Sequence, residues 1–107
     1  MVRRGEALDR IEKELVAEKA AALGRAGERL ERALLEVAAL GARYDVAREP
    51  ADRARLGRDY ERARAGAASA RLALLIQREA VGLRHHRVVD QQFPEPPSLR
   101  ARRAPRA

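Results

Sequence analysis

Apolar residues recur every seven positions through the first half of the chain. Leu23, Leu30, Val37 and Tyr44 form one row, and Ala26, Ala33 and Leu40 sit three residues after its first three members. This alternation puts both rows on one stripe of an α-helix, as the a and d positions of a heptad. Leu8, Ile11 and Leu15 continue an apolar face upstream, with a phase shift near Lys19 of the kind that locally relaxes supercoiling. No proline interrupts residues 6–45, and the residue types there are strong helix formers. The pattern predicts a first helix over 5–45.

The periodicity breaks at VAREPAD, residues 46–52. Pro50 suits the first turn of a new helix and Asp52 suits its positive end. Glu49, preceding a proline, is expected to be extended. A tight turn is therefore placed at 46–50. Tyr60, Ala67, Leu74 and Val81 then recur at seven, with Leu56, Ala63, Ala70 and Gln77 between them, and Val88 extends the row. The second helix is expected over 51–92, with Gly82 either kinking or ending it and Pro94 as the outer limit. Residues 94–107, with four prolines and four arginines, read as a disordered basic tail. The domain is thus residues 1–93.

Two helices joined by a short turn fold back antiparallel. Leu40 then faces Leu56, Val37 faces Tyr60, Ala33 faces Ala63, Leu30 faces Ala67, Ala26 faces Ala70 and Leu23 faces Leu74, the paired numbers summing to 96 or 97. Gly24, Gly27 and Gly66 are read as small residues for close packing, at the short end of the usual interaxial range of about 8–10 Å. Lys19 falls opposite Gln77, either as a register-fixing polar layer or as a lysine reaching water.

Helix two carries more apolar residues than one partner covers. Leu72, Leu75, Ile76 and Leu83 lie off the seam, as does Leu34 on helix one. A helix apolar on more than one face is buried on more than one face. The fold class expected is all-α: an antiparallel two-helix hairpin pairing with a second copy into a dimeric four-helix bundle. Leu72, Ile76 and Leu83 are expected in the interface, with Leu75 and Leu34 near it. A different protein partner on the same surface is the competing reading.

Composition narrows the chemistry. At 107 residues, with 3 % aromatics and an alanine-rich core, the chain buries a modest share of its surface, and a second copy would help. It has no Cys, Thr, Asn or Trp, and only Ser69 and Ser98 as serines. Disulfides and thiolate metal sites are excluded, and no catalytic constellation is visible, so no enzyme activity and no cofactor are expected. His85 and His86, as neighbours on a helix, point about 100° apart and share a metal poorly. A metal or small-molecule site at that end, near Leu8 and Ile11, is kept as an alternative, and Asp90 is placed to pair with His86. The N-terminal stretch has no apolar core of a secretory signal, and no run approaches a membrane span, so a cytoplasmic protein without membrane contact is expected.

The net charge of +7 invites a nucleic-acid reading. Arginine outnumbers lysine 21 to 2, a bias that a GC-rich genome imposes on any protein. Residues 5–46 carry a net −2, residues 47–83 a net +3 and residues 84–107 a net +4. More than half of the excess therefore sits at the ends. Arg100, Arg102, Arg103 and Arg106 of the tail are the candidates for weak, nonspecific phosphate contact.

AEKAAALGRAGERLERAL (17–34) and IQREAVGLRHH (76–86), followed by a Val-rich turn and a proline, resemble a small uncharacterised bacterial family of short helical proteins, largely proteobacterial. Its members carry AEKxxALGRAGxRLExAL and QREAxGLRxH segments in that order. The resemblance spans about half of the chain. It implies no activity and no functional residues, only that QREAVGLRHH recurs as a feature. The function expected is a non-enzymatic helical interaction or scaffold protein, acting through itself or a protein partner.

Overall fold

The structure, a computed structural model, describes residues 3–103. Two long helices, α1 (Arg4–Val46) and α2 (Pro50–Ala80), pack antiparallel as a hairpin in a body 73 × 29 × 14 Å. The turn between them follows the local chemistry. Glu49 is extended (φ −66°, ψ 126°) and Pro50 opens α2. The last carbonyls of α1 accept from the Ala47 amide, and the Arg53 Nη1–H donates to the Tyr44 carbonyl at 3.0 Å. A cation is thereby held at the negative end of α1.

The seam has the expected register. Leu30 and Val37 are fully buried, and Ala26, Tyr44, Leu56, Tyr60, Ala67, Ala70 and Leu74 line the same interface. Gly24, Gly27 and Gly66 are not the close-packing positions: a Cβ on any of them would meet nothing within 4 Å. The tight approaches lie at Gly41, under the Tyr60 ring, and at Gly57, under the Tyr44 ring. The helices thus exchange tyrosines over glycines near the turn.

Helix α2 ends at Ala80 rather than continuing to 92. Gly82 adopts φ +89°, the Gly82 amide donates to the Glu79 carbonyl at 3.0 Å, and the Leu83 amide reaches back to the Arg78 carbonyl at 2.9 Å. This paired closure is a Schellman motif, whose left-handed residue is most easily a glycine. Gly82 stops the helix, and the heptad row through Val88 is not used as a helix-two seam.

The chain then reverses along the hairpin. Helix α3 (Arg87–Gln92), an irregular run over 93–98 and helix α4 (Leu99–Arg103) lie back over one face. Contacts run back along α2 toward its start: Asp90 and Phe93 meet Arg71, Pro96 meets Arg64, and Pro97 and Leu99 meet Tyr60 and Glu61. Arg102 and Arg103 finish beside Asp45 and Tyr44 of α1. A detached tail beginning at 94 is not what residues 94–103 form; residues 104–107 lie outside those described. Val89 is buried and Phe93 half-buried against Leu30, Ala70 and Leu74, so the returning segment completes the core.

Because α2 stops at 80, α1 outruns it. In the hairpin's own register Leu15 stands opposite Val81, where α2 has ended. All of residues 3–21 are exposed, including Leu8, Ile11, Leu15 and Val16. Lys19 is among them, a lysine in water rather than a buried polar layer.

Candidate protein interface

Among the described residues, two groups stand out in the apolar surface left in solvent, beside single exposed residues such as Leu35, Val46 and Val88. On α2 and its end, Leu72, Ile76 and Leu83 are 59 %, 55 % and 43 % exposed. On the α1 overhang, Leu8, Ile11 and Leu15 are 53 %, 59 % and 49 % exposed. Leu34 and Leu75 behave differently from the other expected interface residues. Both are half-buried against the core, and Leu34 shares a cleft of about 570 Å³ with Phe93, Pro94 and Pro96 of the returning segment. Part of the surplus apolar surface is therefore covered from within the chain.

The returning segment is held partly through its carbonyls and partly through side chains and the Leu99 amide. The Tyr60 hydroxyl donates to the Pro97 carbonyl at 2.6 Å, the Arg64 Nε–H donates to the Pro96 carbonyl at 3.1 Å, and Arg71 donates to the Phe93 carbonyl. Arg71 is buried and also pairs with Asp90 at 2.6 Å and Glu95 at 3.8 Å. Glu61 accepts the Leu99 amide at 2.8 Å, and Ser98 Oγ accepts the Ala101 amide at 3.0 Å, so both cap α4. The Leu99 amide, and then Arg64, hold the Glu61 carboxyl below its ordinary pKa. Nothing in the sequence pattern flags these contacts, since main-chain carbonyls carry no residue signature.

The same geometry engages the tail arginines. Arg102 pairs with Asp45 and lies 5.4 Å from the centre of the Tyr60 ring. Arg103 donates to the Tyr44 hydroxyl, which lowers the pKa of that phenol. Arg100 is exposed, and Arg106 lies outside the described residues. A phosphate-binding arm would have to release Arg102 and Arg103 first.

His85 is exposed, and its carbonyl accepts from Arg78. His86 receives the Arg78 Nε–H on Nδ1 at 3.3 Å and presents Nε2 to Glu79 at 3.1 Å. Both ring nitrogens of His86 are thus occupied, with the proton on Nε2 when the ring is neutral. Asp90 goes to Arg71 and not to His86. Among the described residues, no three of His, Cys, Asp and Glu gather as a metal site, and no helix is long and apolar enough to cross a membrane. No family model, curated protein or solved structure matches the chain. The functional reading therefore rests on the geometry.

Proposed function

We propose that this chain is a non-enzymatic helical interaction protein that acts by self-association. The observation that carries the reading is the large apolar side chains left in solvent on a thin, extended hairpin, among them Leu8, Ile11, Leu15, Leu72 and Ile76. Single exposed leucines are ordinary, whereas aligned ones on helix faces mark contact surfaces. A closed two-fold dimer is the simplest assembly that removes such a surface. A four-helix bundle with Leu72 and Ile76 at its centre, and Leu83 just beyond the end of α2, is one form of it, and an unidentified protein partner on that surface is the competing occupant.

Light scattering over a range of concentrations tests the reading. A species near twice 11.9 kDa is expected at high concentration. A chain that stays monomeric throughout would overturn it.

A further inference from the structure

We infer that the α1 overhang is the self-association element: residues 4–18 of one copy pair antiparallel with residues 4–18 of a second, about a two-fold axis at Ile11. The inference rests on the self-association reading above and names its surface and partner.

The fold itself supplies no layer for these residues. Within the hairpin, paired positions sum to 96 or 97, so Leu8 and Ile11 would need partners at 85–89 in a helix that ended at Ala80. Those residues have instead turned back along α2, with His85 and His86 held by Arg78 and Glu79 and Val89 packed on Ala70 and Leu74. A helix end that packs on nothing frays in water and gains most from a packed apolar face.

The stripe is complementary to itself. Antiparallel pairing about Ile11 stacks Leu8 on Leu15 of the second copy, Ile11 on Ile11, and Leu15 on Leu8. Each a position meets an a and each d meets a d, the same rule that joins Val37 to Tyr60 and Ala26 to Ala70 inside the hairpin. The next layer outward places Arg4 against Glu18 of the second copy, and its symmetry mate repeats the pair at the other end. A parallel arrangement would set Arg4 on Arg4 and Glu18 on Glu18. Charge therefore selects the antiparallel register. Glu12 meets its own copy beside the axis, the one like-charge approach in this register.

The stripe is also accessible. Its heptad row runs on from Leu15 through Ala22 to Arg29 and Glu36, which line the face of the hairpin carrying Ala63 and Gly66. The returning C-terminal segment covers the opposite face, beside Leu34 and Gly41. It does not obstruct the pairing. Three apolar layers make a contact at the small end of specific interfaces, below about 1,200 Å² in total, so dissociation on dilution through the micromolar range is expected.

Sedimentation equilibrium of the full chain and its variants decides the matter. Ile11→Asp puts two carboxylates on the axis and is expected to leave a folded monomer, with loss of helix content by circular dichroism confined to the overhang. Arg4→Glu and Glu18→Arg are each expected to weaken association about five- to tenfold, since each creates two like-charge pairs per dimer. Arg4→Glu with Glu18→Arg in one chain is expected to restore it within about twofold. The two residues stand about 21 Å apart along a single helix, so rescue reports contact between copies. A dimer indifferent to Ile11→Asp but broken by Leu72→Asp or Ile76→Asp overturns this surface while leaving self-association standing. Loss at Ile11 without rescue by the charge swap overturns the register. A parent chain that never associates overturns both readings.

Discussion

At Gly41 and Gly57, tyrosine rings cross the opposite helix with no room for a side chain beneath. A Cβ on Gly41 would stand 3.2 Å from Tyr60 Cε2, and one on Gly57 would stand 3.3 Å from Tyr44 Cε2. A branched side chain at either position must push the ring out, and Gly41→Val or Gly57→Val is expected to lower stability by about 1–3 kcal/mol. Gly24→Ala sits on open helix surface and is expected to raise stability by roughly 0.5–1 kcal/mol. At Gly82 the same change forces φ +89° on an L residue and is expected to cost about 1–2 kcal/mol. Thermal melts of the four variants check the ordering, and a stabilised Gly41→Val would show that the ring contact is loose. These roles were only partly legible. The heptad rows mark Tyr44 and Tyr60 as seam residues, but which glycine lies under which ring depends on how the helix axes approach near the turn. That is a property of the pair of helices and not of either local pattern.

The returning segment belongs to the element scale. A run with prolines at 94, 96 and 97 has few amides to offer, so it forms neither strand nor helix and reads from sequence as a loose tail. Its carbonyls remain free acceptors, and Tyr60, Arg64 and Arg71 of α2 donate to them. Truncation after Pro94 removes the Tyr60, Arg64, Glu61 and Arg102 contacts. It is expected to cost on the order of 2 kcal/mol and to raise binding of an apolar dye as Leu34 and Tyr60 open to solvent. An unchanged melting temperature would mean that the segment rests on the hairpin without stabilising it. Glu61 adds a pH response. Its pKa is depressed in the fold below the ordinary 4.5, so its contribution is present above that value and is lost as pH falls through the lowered one. Acid titration is expected to weaken protection of the Leu99 amide below the usual carboxylate range. Glu61→Gln is expected to remove that response, and an identical acid profile in the variant would assign it to another carboxylate.

At the scale of the whole molecule, one residue redirects the functional reading. The heptad row through Val81 and Val88 pairs by number with Leu15 and Leu8. A second helix running to 92 would have covered the start of α1 and left Leu72 and Ile76 as the main exposed apolar positions. Gly82 ends that helix twelve residues short, and Leu8, Ile11 and Leu15 become a second surface. The two surfaces predict assemblies of different shape. Pairing about Ile11 joins the hairpins end to end. With 35 residues from Ile11 to the end of α1 on each side, the dimer spans about 105 Å. Pairing through Leu72 and Ile76 lays the hairpins side by side and keeps the length near the 73 Å of one chain. Small-angle X-ray scattering at concentrations where the dimer forms is expected to return a maximum dimension above 100 Å, shrinking on dilution. A dimer no longer than the monomer would place the contact on α2 and leave the α1 overhang in solvent.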